Sequence, residues 1–366
     1  MKRREFFKSA TAATVGVAAA GALAAPAIAQ GNITWRMVTT WPKNFPGMGT
    51  GAQKFADRVG RATGGRLTIQ VYAAGELVPG LQALDAVIDG SAEMSHGTPY
   101  YWQNKSQGLS FFTGVPFGMT SRELTAWVRY LGGQELWDEI YDQFGLKGFL
   151  SGDTGTQAGG WFRNELTGVS DLQGLRFRTP GLGGQVWAKL GASVTNLAAG
   201  EIFAALQSGT LDAAEFVGPF QDLALGFHQI AKNYYFPSFV EPGLATEIVV
   251  DKAKFQELPE DLQEIITVFS QAGYDDMASD MYANDPRALR ALVDEHGVQV
   301  KRFPEEIIEA GAKASMELIS EIRDGGDEMT KRVAESFVSA FNLLRERTEG
   351  TDMPFLAARE KYITFS

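Results

Sequence analysis

The stretches "AVIDGSAEM", residues 86–94, and "ALQSGTLDA", residues 205–213, share one outline: a helix end, a glycine, a small hydroxyl residue, an acidic residue and an apolar exit. Glycine just past a helix supplies the left-handed backbone that stops it. Gly90 and Gly209 are therefore expected C-caps, each feeding a strand, and two such units in one chain predict two similar lobes. Ahead of the first unit, "NITWRMVTTW" alternates apolar and polar residues as a strand does. "GTGAQKFADRVGRATGG" reads as an amphipathic helix ending at glycines, and "RLTIQVYAAGEL" as a second strand. Strands alternating with helices predict an α/β protein of βαβ construction with largely parallel sheets. The second lobe is expected over residues 152–243, and "ATEIVVDKAKF" reads as a strand returning to the first. From Pro259 the chain is mostly helical, with Leu262, Ile265, Ile266 and Phe269 on one apolar face. In "FPEEIIEAGAKASMELISEIR", Glu305 and Glu306 sit beside the positive end of a further helix.

Residues 1–29 read as an export signal. "MKRREFFK" carries the pair Arg3-Arg4, an Ala/Gly/Val-rich run follows, and "APAIAQ" offers small residues for cleavage after Ala29. The pattern resembles a twin-arginine signal and places the protein in the periplasm. The whole chain has a net charge of −11, and an acidic surface disfavours nucleic acid and anionic membrane. With no cysteine, disulfides, thiol nucleophiles, iron–sulfur clusters and thiolate zinc sites are excluded. The three histidines, His96, His228 and His296, are scattered, and no hydrolase, metalloprotease or phosphate-cradling motif occurs. No organic cofactor and no catalytic residue is expected.

Several stretches together carry a family likeness: "GELVPGLQALDAVIDGSAEM", "GLRFRTPG…AKLGA", "AALQSGTLDAAEFVGP" and "FQELPEDLQEII". In order and spacing, from about Ile33 to Phe303, the chain resembles the substrate-binding proteins of TRAP (tripartite ATP-independent periplasmic) transporters, the DctP family. "GGWFR", "EFVGP", "LGF" and the Glu241 loop make it most similar to the branch that binds 2-oxo acids such as pyruvate. The resemblance implies a two-lobed periplasmic binding protein fold with a ligand cleft between the lobes and long C-terminal helices bracing both. Lobe I is expected over 30–151 plus about 244–300, lobe II over 152–243 plus about 301–325, and a helical extension over 326–366. It also implies a small carboxylate captured with a bound cation, sodium or calcium, and delivered to TRAP membrane subunits. A homodimer through the C-terminal helices is a further expectation. An exported enzyme acting on a small carboxylate and a ligand-binding sensor subunit are the competing readings.

Arg178 ends an apolar strand beside a Pro/Gly loop, and a guanidinium matches a carboxylate as a planar fork of donors. On its residues alone it reads as a carboxylate clamp, a surface arginine or half of an ion pair. The resemblance assigns it the carboxylate and leaves Arg176, on the same strand, with the surface reading. Gln157, in a glycine-rich loop, has an amide suited to a 2-oxo group, to a cation or simply to water. By resemblance the Glu215 carboxylate enters the cleft, where a hard cation would relieve its repulsion with the ligand's carboxylate. The implied shell is Gln157, Glu215, the backbone carbonyl of Phe216 and Glu241. Glu215 paired with Arg178, and Glu241 in solvent, are the alternatives. Phe216 stands where the branch has tryptophan, and no tryptophan adjoins Glu241, so a ligand longer than pyruvate is admissible. From "PYYWQNK", Tyr101 is a candidate for the ligand carboxylate, and Trp41, Lys43 and Asn44 follow the first strand at the edge where α/β ligands bind.

Overall fold

A computed structural model describes residues 31–364, so the expected export signal lies outside the described residues. The strands are β1 (Ile33–Thr39), β2 (Leu67–Tyr72), β3 (Met94–Gly97), β4 (Leu146–Asp153), β5 (Gly160–Phe162), β6 (Arg176–Arg178), β7 (Ser193–Thr195), β8 (Ala213–Ala214), β9 (Asn233–Phe236), β10 (Ala245–Asp251) and β11 (Gln299–Arg302). They form two sheets, in the orders β2-β1-β3-β10-β4 and β11-β9-β5-β8-β6-β7.

Read from its far end, the second sheet repeats the first strand for strand. β1 is parallel to β2 and β3, as β6 is to β7 and β8. β10 then lies antiparallel between β3 and β4, as β5 does between β8 and β9. β11 is an addition, parallel to β9. The repeated turn explains the match. Ala92 N donates to Ala86 O at 2.9 Å in one unit, and Leu211 N to Ala205 O at 3.0 Å in the other. Gly90 and Gly209 adopt φ of 78° and 75°, the left-handed backbone expected of them. The sheets are mixed rather than largely parallel because of how the chain crosses between them, from β4 to β5, from β9 to β10 and, through the helix Glu260–Asp294, from β10 to β11. The first two crossings each deliver a strand that runs against its new neighbours, and the third delivers β11 parallel to β9.

The helix Glu260–Asp294 is 35 residues long, roughly 50 Å at 1.5 Å per residue. Its first turns bury Leu262 and Ile266 in the core that covers one face of the first sheet. Further along, Met277, Met281 and Leu292 enter the core of the second. One rigid element thus spans both lobes. The helix Glu305–Gly325 packs on the second lobe, and Glu328–Arg347 on helices of the first. The last helix, Met353–Tyr362, buries none of its side chains.

Each lobe also holds one buried carboxyl group under an indole and a phenol. Glu247 accepts from Trp102 Nε1 at 2.7 Å and from Tyr141 Oη at 2.7 Å. Asp222 accepts from Trp161 Nε1 and Tyr234 Oη, each at 2.8 Å. Burial pushes Glu247 up to about 8 and Asp222 up to about 7, against the hydrogen bonds that favour the charged form. A carboxyl whose folded pKa is raised holds its proton when the unfolded chain has lost it. Stability therefore falls as pH rises from the ordinary glutamate range through about 8 for Glu247. Glu247→Gln should leave the melting temperature nearly unchanged at pH 5 and raise it at pH 9, as followed by circular dichroism. An equal difference at both pH values would mean that Glu247 is not held protonated.

Candidate functional site

The carboxyl ends of β1, β3, β6 and β8 converge between the lobes, and the candidate residues sit at those ends. Arg178 closes β6 and is fully buried, with 0% of its side chain exposed. A buried guanidinium needs partners for its donors. Its Nε donates to Leu197 O at 3.1 Å and its Nη1 to Glu215 O at 2.6 Å. Nη2 reaches the Tyr101 hydroxyl of the opposite lobe at 3.4 Å. The Glu215 carboxylate is 3.8 Å from Nη1, and the guanidinium carbon lies 5.2 Å from the centre of the Phe216 ring. Burial works against the charge, but Tyr101 and Glu215 outweigh it and keep Arg178 protonated. Arg176 is its counterpart outside the site: half exposed and paired with Asp212, its Nε 2.8 Å from Oδ2.

Gln157, Glu215 and Phe216 meet beside Arg178. With the Gln157 Nε2 donating to Thr154 Oγ1 at 2.9 Å, the amide oxygen lies 2.7 Å from Glu215 Oε1 and 2.9 Å from Phe216 O. Three oxygens directed at one another repel. Turning the amide over would make Gln157 a donor to both. Leaving it in place gives three oxygens of the kind a hard cation takes, with Thr154 holding the amide nitrogen away. Burial, and then the neighbouring Glu241 charge, push the Glu215 pKa well above the usual carboxylate range, against the pull of Arg178. Glu241 is also buried and raised, chiefly by burial. It comes close through its backbone, Gln157 N donating to Glu241 O at 3.1 Å. Its side chain makes no hydrogen bond to the three oxygens: Oε2 is buried without a partner and points at Gly114, where a Cβ would stand 2.3 Å from it. A buried carboxyl oxygen without a donor is costly, and this cluster is short of positive charge rather than of acceptors.

Lobe I supplies the facing wall. Trp41, directly after β1, is buried and tilted against Tyr101, with ring centres 6.3 Å apart. Lys43, by contrast, is an exposed residue paired with Glu76. Phe45 meets Phe216 edge-on across the lobes at 5.7 Å. Phe45, Thr154 and Leu197 are contacts that the sequence reading did not single out. Phe45 lies in the loop after β1 that contains Trp41, Lys43 and Asn44, so its position was the available signal. Thr154 and Leu197 act through one hydroxyl and one carbonyl, which have no residue signature.

The model of bacterial extracellular solute-binding protein family 7, DctP, matches residues 37–324. The chain is 41% identical over 325 residues to the monocarboxylate 2-oxoacid-binding periplasmic protein of Nostoc sp., covering 88% of this chain and 89% of that one. A TRAP periplasmic solute-binding protein from Pseudoalteromonas atlantica, solved with bound sodium and pyruvate, superposes with a TM-score of 0.87 at 39% identity, covering 90% of this chain and 99% of that one. One from Colwellia psychrerythraea, with bound calcium and pyruvate, gives 0.86 at 39% identity, with coverage of 89% and 99%. A TRAP solute-binding protein from Bordetella bronchiseptica, a mixed-occupancy dimer with copurified calcium and picolinate, gives 0.87 at 32% identity, with coverage of 91% and 99%. The two mirrored sheets, the helix that spans them and the polar cluster between them thus belong to a known architecture, and the chain is a member of the DctP family of TRAP transporter solute-binding proteins.

Proposed function

We propose that the protein captures a small 2-oxo acid, pyruvate or a longer analogue, together with one sodium or calcium ion, and passes it to TRAP membrane subunits without chemical change. The observation that carries this reading is the meeting of the buried Gln157 amide with Glu215 Oε1 at 2.7 Å and Phe216 O at 2.9 Å, beside the buried Arg178; one of the amide's two orientations presents its oxygen with the other two. Gln157, Glu215, the Phe216 carbonyl and Glu241 would hold the cation. A cation there neutralises the protein's carboxylates and gives the ligand's oxo and carboxylate oxygens a positive partner. Arg178 takes the ligand carboxylate with two of its donors, Tyr101 adds its hydroxyl, and the Phe216 ring closes over the ligand's apolar end. The pyruvate-bound relatives at 39% identity support the ligand class.

Binding both lobes at once favours closure, because contacts absent from the open form exist only in the closed one. Lobe I, 30–151 with about 244–300, and lobe II, 152–243 with about 301–325, move about the segments that cross between them. A ligand of about six heavy atoms has a ceiling near 9 kcal/mol, which permits sub-micromolar capture. The twin-arginine signal, cleaved after Ala29, delivers the protein to the periplasm. The C-terminal extension, 326–366, is helical in its described residues as far as Tyr362, and its last helix joins a second copy: Met353, Phe355, Leu356 and Tyr362 are all exposed along it. Apolar side chains gathered on one terminal helix mark an interaction surface.

Thermal unfolding of ligand-stripped protein in a panel of carboxylates tests the reading. A 2-oxo acid at 100 times its dissociation constant should stabilise by about 2.7 kcal/mol, a shift of several degrees, when sodium or calcium is present. No shift for any 2-oxo acid with either cation would overturn it. Arg178→Lys keeps the charge but loses the fork, and should weaken binding about 100-fold, since each charge-assisted hydrogen bond is worth about 1.5–3 kcal/mol. Truncation after Asp352 should convert a dimer to a monomer in light scattering while leaving ligand binding intact.

A further inference from the structure

His96 has no part in the site as described, yet its place in the fold is specific. It lies on β3, paired in register with Thr39 of β1 and Ile248 of β10, and only 1% of it is exposed. Both of its ring nitrogens have partners. Trp41 Nε1 donates to His96 Nδ1 at 2.7 Å, and His96 Nε2 lies 3.2 Å from Ser151 Oγ on β4. The first contact requires a lone pair on Nδ1, so the ring is neutral with its proton on Nε2, which donates to Ser151. Burial keeps it so, pushing His96 down to about 3. A buried imidazole that only filled space would be replaced at no cost by an apolar side chain; this one fixes the plane of an indole. The indole is tilted against Tyr101, and Tyr101 carries the hydroxyl that meets Arg178 from the opposite lobe.

The mirrored sheets give this placement a context. Aligning the two turns at Gly90 and Gly209 puts His96 opposite Glu215, each just beyond the start of the strand that follows the turn. One lobe uses that position to carry charge into the cleft. The other uses it to hold an aromatic wall.

We infer that His96 is a positioning residue for ligand binding: by anchoring the Trp41 indole it orients Tyr101, and so sets the lobe I surface on which the Arg178-bound carboxylate closes. This inference rests on the proposed 2-oxo acid site. It is tested with pyruvate and sodium as the probe, by calorimetry on the wild-type protein, His96→Leu, His96→Asn, Trp41→Phe and the double variant Trp41→Phe/His96→Leu. Indole N–H resonances are recorded in parallel, Trp41 being assigned by its loss in Trp41→Phe.

The expected result is that His96→Leu shifts the Trp41 resonance upfield and weakens pyruvate binding about tenfold. His96→Asn, which keeps an acceptor near the Nδ1 position, should restore most of both. Trp41→Phe should weaken binding to a similar extent, and the double variant should be no weaker than either, because residues acting through one contact are not additive. Should leucine at position 96 not fold, His96→Gln, which moves the acceptor outward by one bond, takes its place. Unchanged pyruvate affinity in His96→Leu, or additive losses in the double variant, would overturn the inference while leaving the proposed function intact. Wild-type protein that binds no 2-oxo acid overturns the proposed function itself, before any variant is compared.

Discussion

A guanidinium taken wholly out of water sets the terms for everything around it. Arg178 has 0% of its side chain exposed, and its Nε and Nη1 donate to two backbone carbonyls, Leu197 O and Glu215 O. Breaking a buried ion pair leaves an uncompensated charge that costs several kcal/mol, so the loops carrying those carbonyls are held to the strand end. The Glu215 carboxylate balances the charge only in part, since it stands 3.8 Å off and shares its surroundings with Glu241. The result is a pocket with one firm positive group and a surplus of oxygen. Such a pocket stays neutral by protonating its carboxyls or by admitting a cation, and the second course also prepares it for an anionic ligand.

The mirrored topology explains why the site lies where it does. Two sheets built to one plan place their parallel strands with carboxyl ends toward a shared cleft, and three crossings of the chain join the lobes. The helix Glu260–Asp294 makes the third crossing and is packed into the cores of both lobes. Binding sites in α/β folds gather at such strand ends because the loops there vary without disturbing the sheet. Here the loops after β1, β3, β6 and β8 carry Trp41, Tyr101, the Pro/Gly turn and the Glu215–Phe216 pair.

What the sequence disclosed and what it withheld divide along the reach of the interactions. The turn at Gly90 and Gly209 is local, and its two copies were legible as a pair of lobes. Arg178 was separable from Arg176 only through the family resemblance, because the two alternate on one face of the same short strand. The passage into the second lobe and the return from it were legible, but the direction of the strands they deliver was not. "ATEIVVDKAKF" reads as a strand whichever way it runs, and its antiparallel pairing depends on where β9 ends. The full length of the spanning helix was obscured by Pro286, which removes one backbone donor within an otherwise continuous helix. The buried Glu247 and Asp222 look like any surface acids in the sequence, because the Trp and Tyr partners that accommodate them are distant in the chain. For the same reason the contact of His96 with Trp41 could not be read, whereas Phe45 was signalled by its loop.

The account turns on whether those buried oxygens hold a cation that the ligand needs. Equilibrium dialysis of ligand-stripped protein against radioactive calcium, with and without pyruvate, measures this directly. The account predicts one ion per chain, retained more tightly with pyruvate present, displaced by excess unlabelled calcium, and lost when Gln157→Leu removes one of the three oxygens. No bound calcium in either condition, or binding that is indifferent to pyruvate and undiminished in Gln157→Leu, would contradict it.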